Sequence, residues 1–185
     1  MLRASLVQDR NELREIADLQ KRFLRGVTSQ EEEREQGFLT VEHSLETLEQ
    51  MHRLEPSIIA KENGQLAGYA LTMPRACGAM IPVLVPMFHI FPEIVYGYRP
   101  INDYNFYVMG QICVDKPFRG LGVFDLLYQK HREVYSHKYD FIVTEISLRN
   151  HRSMKAHQRV GFKLLHVYTD PLDEWAVVIW DWRTV

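Results

Sequence analysis

Residues 105–125 read NFYVMGQICVDKPFRGLGVFD, and the change of pattern within them decides the fold class. Phe106, Val108, Ile112 and Val114 are β-formers, with Gly110 interrupting them where a bulge or a close backbone approach fits. Pro117 stops the strand, and from Leu121 the apolar spacing becomes Leu121, Phe124, Leu127, Tyr128, one face of a helix. The stretch is predicted as a strand, a turn and a helix start. At a helix start, backbone N–H groups without intrahelical acceptors meet the positive end of the dipole, which favours an anion. Arg119 adds a charge there, and Gly120 and Gly122 carry no side chain to hold a phosphate off the backbone. The nucleotide patterns G-x-x-x-x-G-K-[ST] and G-x-G-x-x-G are both absent, and a glycine turn ahead of a helix is also an ordinary structural feature.

A second segment, residues 150–162, reads NHRSMKAHQRVGF. Asn150 is a good N-cap, and Gly161 followed by Phe162 fits a helix stop with its hydrophobic partner. Asn150, Ser153 and His157 fall at i, i+3 and i+7 and share one face. Together the two segments resemble the Gcn5-related N-acetyltransferase (GNAT) family. Its acyl-CoA motif of Arg or Gln, two residues, Gly, one residue, then Gly or Ala is met by Arg119 and Gly122, with Phe124 as a departure in the last position. Its later helix motif is met by Asn150, Ser153, Gly161 and Phe162, with His157 standing where Tyr is common.

The resemblance implies an α/β (α+β) fold in a single N-acetyltransferase domain over residues 1–185: a mixed, mostly antiparallel sheet of six to seven strands, a splayed central parallel pair and helices on both faces. It implies acetyl-CoA, or another acyl-CoA, as co-substrate. Backbone groups of Ile112 and Val114 are then expected on the pantetheine, and N–H groups of Arg119, Gly120, Leu121, Gly122, Val123 and Phe124 on the pyrophosphate. Asn150 and Ser153 are expected to hydrogen-bond the cofactor or to position its thiol end. His157 is expected to protonate the departing thiolate, against the plainer reading of a satisfied helix histidine. The central strand offers Gln111, Met109 and Tyr107 where a carboxylate is frequent, so Glu145, on the strand across the splay, is the candidate general base, weighed against a salt-bridge or surface role.

At 185 residues the chain can bury a core without metals or disulfides. Its 22 Lys and Arg against 24 Asp and Glu give a net charge of −2 with no long basic run, which argues against nucleic acid as a partner. Cys77 and Cys113 form no disulfide framework, which suits a reducing cytoplasm, and Cys113 inside a β-run reads as a small buried apolar residue. The N-terminus MLRASLVQDR carries charges where a signal peptide needs apolar residues, and no apolar run is long enough for a bilayer, so neither export nor a membrane partner is expected. The eight histidines show no metal-ligand spacing.

Along the chain, residues 2–7 predict a strand and 8–25 an amphipathic helix ended by Gly26. The acidic run 28–39, TSQEEEREQGFL, reads as a solvated face before an amine-attracting lip. Residues 45–54 predict a helix, and Asn63-Gly64 a two-residue hairpin between strands 57–62 and 65–73. Pro-rich residues 74–100 predict one short helix among loops. Strand 141–147 after the helix argues for a parallel neighbour of the central strand by a right-handed crossover, and 162–168 with 174–182 for a final antiparallel pair. Two function classes stand: an N-acetyltransferase that passes acetyl to a primary amine of a small molecule or peptide by direct attack, and a non-catalytic acyl-CoA-binding sensor or interaction module. The acidic and aromatic segments suggest a cationic acceptor, and the resemblance leaves room for a homodimer.

Overall fold

The computed structural model describes residues 1–27 and 29–183. Seven strands form one sheet in the order β1 (Arg3–Leu6), β2 (Ile58–Glu62), β3 (Gln65–Pro74), β6 (Phe106–Val114), β7 (Phe141–Ser147), β9 (Glu174–Asp181) and β8 (Lys163–Thr169), while β4 (Val95–Tyr96) and β5 (Arg99–Pro100) pair separately. The sheet is mostly antiparallel, with one parallel pair, β6 with β7. That pairing joins Phe106, Val108 and the residue between them to 141–143, while β6 runs on to Val114 and β7 to Ser147. By contacts the chain divides into two compact units, Met1–Thr72 with Met109–Val134, and Met73–Val108 with Tyr135–Val185.

In the first unit, α1 (Arg10–Lys21) starts where the Asp9 carboxylate accepts from Asn11 N and Glu12 N, and it buries Leu13, Ile16 and Leu19. It ends four residues short of the predicted end. Arg25 N donates to Leu39 O and Leu39 N to Phe23 O, so the backbone has left the helix to bridge residue 39. The acidic run, expected to be a solvated face, folds into α2 (Gln30–Gln36) under a Ser29 cap, with Glu31, Glu32 and Glu33 in the first turn, where the dipole favours acid. Helix α3 (Leu45–Leu54) has its predicted bounds, fixed by the Ser44 cap. The β2–β3 hairpin turns at Asn63 and Gly64, both at positive φ as a two-residue turn of this kind requires. Gly68 has a different reason: a Cβ there would sit 2.7 Å from Cys113 O, so only glycine lets the end of β6 approach β3. Helix α5 (Val123–Tyr135) follows the glycine turn.

In the second unit, residues 74–104 fold as short 3-10 turns, α4 (Val85–Ile90) and the β4–β5 hairpin. Strand β7 alternates cleanly, so its two faces can be told apart. Phe141, Val143, Glu145 and Ser147 point one way, opposite Asp181, Ile179, Val177 and Trp175 of β9. On that face Phe141 stacks on Phe106 at 5.3 Å, and Phe91, Tyr96 and Tyr104 pack against these two rings at 5.3–5.7 Å, so the 74–104 segment covers it. Ile142, Thr144 and Ile146 share the other face with Trp180 and Val178, and there Phe162, after α6 (His151–Val160), meets Trp180 at 5.8 Å. Among the described residues no helix is long and apolar enough to cross a membrane.

Candidate active site

The glycine turn lies wholly in the first unit. Asp115 closes β6: its carboxylate is buried, accepts from both terminal guanidinium nitrogens of Arg22 at 3.1 and 3.2 Å and from Lys116 N at 2.8 Å. This ion pair fixes the direction in which the chain enters residues 116–122. Gly120 and Gly122 have φ of +81° and +79°, in the left-handed region, and a Cβ at either would meet nothing within 4 Å. The first bond of the following helix runs from Leu126 N to Gly122 O, so the N–H groups of residues 122–125 precede it and lie at the positive end of the dipole. A cradle lined by bare backbone at the head of a thirteen-residue helix fits an anionic pyrophosphate. Phe124 does not obstruct it, because its ring packs on Tyr128, one helical turn on, at 5.1 Å.

Arg119 is held before any ligand is considered. Its Nε donates to Val114 O at 3.4 Å, its guanidinium carbon lies 4.7 Å from the centre of the Phe23 ring, and a terminal nitrogen donates to Glu32 Oε1 at 3.2 Å. Lys116 Nζ adds a second contact to Glu32 at 3.5 Å. Two carboxylates of the acidic run therefore have internal tasks: Glu32 binds the turn, and Glu33 Oε1 accepts from Gly26 N at 2.6 Å. Ile112 and Val114 are half-buried on β6, while Cys113 between them is buried and its thiol pushed up to about 12 by desolvation, so it stays protonated. Gln111 accepts from Tyr69 OH and donates to Val41 O at 2.7 Å. Both ends of its amide are thus spent on tying a loop to the strand.

The second unit holds the residues expected to do chemistry. Asn150 Oδ1 accepts from Ser153 N at 3.1 Å, so Asn150 is the cap of α6, and Gly161 ends it at φ +123°. His157 is 1% exposed and packs edge-on against Phe162 at 5.1 Å. Its Nδ1 lies 2.8 Å from Ser153 O and 3.3 Å from Ser153 Oγ. A carbonyl only accepts, so Nδ1 carries the proton and Nε2 is the unprotonated ring nitrogen. Burial lowers the ring's pKa to about 4, with the bond to Ser153 opposing. Near neutrality His157 has no proton on Nε2 to give, and the expected role as donor to a thiolate finds no support in this geometry.

Glu145 is partly buried on the face covered by residues 74–104, and His157 belongs to the opposite face, so the structure does not bring the two candidates together. Tyr168 OH donates to Glu145 Oε2 at 2.5 Å. Desolvation raises the Glu145 carboxyl to about 7, the Tyr168 bond works against this, and the charge of Asp170 adds to it. A carboxyl poised there can take a proton and release it near neutral pH. Tyr168 and Asp170 escaped the sequence reading. They lie on β8 and its turn, two strands from β7 in the sheet, and no local spacing connects them to Glu145.

The model of the Acetyltransferase (GNAT) family matches residues 13–162. The chain belongs to the GNAT acetyltransferase family. Solved structures agree with a GNAT fold. The ribosomal-protein-S18-alanine N-acetyltransferase from Escherichia coli aligns at TM-score 0.62 and 12% identity, over 98% of this chain and 94% of that one. An N-acetyltransferase from Staphylococcus aureus Mu50 aligns at 0.63 and 18%, over 98% of both chains. The ribosomal-protein-alanine N-acetyltransferase from Brucella melitensis aligns at 0.61 and 17%, over 98% of this chain and 99% of that one. Identities this low show the fold alone. No curated protein matches the chain. The glycine turn and the helix after it are the part whose geometry fits an anion, and the Glu145 carboxyl is raised to about 7.

Proposed function

We propose that the protein is an acetyl-CoA-dependent N-acetyltransferase acting on a primary amine of a small molecule or peptide. Acetyl-CoA supplies an acetyl thioester. The N–H groups of Gly120 and of residues 122–124, with the Arg119 guanidinium beside them, hold its pyrophosphate, and the backbone of Ile112 and Val114 meets the pantetheine amides; the N–H groups of Arg119 and Leu121, expected in the same role, are taken instead by Lys116 O and Phe118 O. Glu145, as carboxylate, takes a proton from the incoming ammonium and leaves a neutral nitrogen lone pair to attack the thioester carbonyl. The second proton leaves that nitrogen as the C–S bond breaks and ends on the thiol sulfur, so charge and atoms balance without a covalent acyl-enzyme. Asn150, Ser153 and His157 keep α6 in place rather than move protons.

The observation that carries this reading over a non-catalytic acyl-CoA sensor is the Glu145 carboxyl, held at about 7 on the face that the aromatic 74–104 segment covers. A module that only binds has no use for a carboxyl poised near neutrality. Two structural neighbours are named as N-acetyltransferases of ribosomal-protein alanine; at 12 and 17% identity this supports a fold, and a peptide α-amine stands beside small cationic amines as acceptor.

The test is free-thiol release from acetyl-CoA against a panel of amines, with parent protein and Glu145→Gln. Amine-dependent release is expected, falling by on the order of 10²-fold in kcat for the variant. Acetyl-CoA that raises the Tm of the protein, yet gives no thiol with any amine, would leave the sensor reading in its place.

A further inference from the structure

Glu145 does not stand alone on its strand. Across the sheet, Glu145 of β7 faces Val177 of β9, which faces His166 of β8; one row on, Ser147 faces Trp175, which faces Tyr168. These six side chains occupy one face of the sheet. Tyr168 sits in the row beyond Glu145 and leans back along the strand to reach it, its hydroxyl 2.5 Å from Oε2. A bond of this length between phenol and carboxylate is in the charge-assisted range. The ring is half-buried at the end of β8, where the chain turns through Asp170, whose carboxylate is fixed by Leu172 N at 2.8 Å and Asp173 N at 2.9 Å.

We propose that Tyr168 is a positioning residue for acetyl transfer: its hydroxyl fixes the Glu145 carboxylate in one orientation and holds it ready to accept the amine's proton. This rests on Glu145 being the general base. The other groups on its face of the sheet and in the segment that covers that face explain why a donor is needed. From the β8–β9 turn, Asp170 repels a second negative charge. From β8, His166 is in the same row but exposed. From β9 come only Val177 and Trp175, which do not titrate. On β7 the neighbouring Ser147 donates to Asp173 at 2.7 Å, and Asp173 is matched by Arg149. In the covering segment, Arg75 is taken up by Asn102 and the Phe106 ring, and Arg99 by the Tyr104 ring. Tyr168 is thus the group among these that stabilises the carboxylate, set against burial and Asp170. Its own ionisation is pushed up by burial and by Glu145, so it remains a donor at every pH of interest.

Tyr168→Phe removes the hydroxyl and keeps the ring. The acid limb of kcat/KM for the amine should move up by about one pH unit, with KM for acetyl-CoA unchanged. The midpoint of Glu145 in a 13C-carboxyl NMR titration, a readout that needs no turnover, should move the same way. If Glu145→Gln loses activity while Tyr168→Phe keeps the parent limb and the parent carboxyl midpoint, Glu145 remains the base and Tyr168 is packing only. If Glu145→Gln keeps parent activity, the base assignment falls and the proposal for Tyr168 with it.

Discussion

At the scale of single residues, His157 shows how far position in a motif can stand from chemistry. A capped helix places it, but its protonation follows from Phe162 packed on one side and the Ser153 carbonyl on the other. Long-range 1H–15N correlations should therefore show the proton on Nδ1 and an unprotonated Nε2 at pH 7, and finding an imidazolium there would restore the donor role. His157→Ala should cost stability, by about 2–3 kcal/mol for the lost packing and the lost ring bond to Ser153 O, while leaving the acid limb of kcat/KM where it was. Glu145 was legible as a carboxylate on the strand after the crossover. Its partner Tyr168 was not, because the two meet across an intervening strand whose register only the folded sheet defines.

At the scale of elements, the contact between α2 and the glycine turn carries a prediction. The Glu32 carboxylate lies on Arg119, an anion beside the cradle proposed for the pyrophosphate. Arg119 keeps two other holds, the Val114 carbonyl and the Phe23 ring, so Glu32→Gln should leave the guanidinium in place and remove a competing charge. CoA should then bind severalfold more tightly by calorimetry at low salt, where such charges are least screened; weaker binding would make Glu32 the group that sets Arg119. In the parent, CoA should raise Tm, and Gly122→Asp, which puts a carboxylate and a strained φ into the cradle, should abolish that rise. Helix α3 and strand β7 have their predicted bounds because a cap or a clean β-run marks each end. Helix α2 was not legible: it has no apolar period, and it is held by Ser29 and by acids at its first turn. The early end of α1 and the need for Gly68 arise from partners at Leu39 and Cys113, far along the chain.

For the whole molecule, the buried titratable groups set how stability follows pH. His43, His131 and His157 are each 2% exposed or less, and burial lowers them to about 4, 3 and 4. Unfolded, each takes up a proton near pH 6.5. Their contribution is therefore complete above that pH and is lost as pH falls toward the folded values. Glu145 has the opposite sign: raised to about 7, it stays protonated in the native state while the unfolded carboxyl ionises near 4.5, so its contribution is complete below 4.5 and lost as pH rises through 7. Around pH 5 three histidines act against one carboxyl, and the unfolded chain binds about two more protons than the folded one. Unfolding free energy from urea titrations should then fall by roughly 2–3 kcal/mol for each pH unit of acidification. Replacing His43, whose Nε2 is buried without a hydrogen-bond partner, by Gln removes about one of those two protons and should reduce that slope by about half. A profile flat from pH 6.5 to 4.5 would mean that these rings are hydrated and charged in the folded protein, and that desolvation does not govern its acid stability.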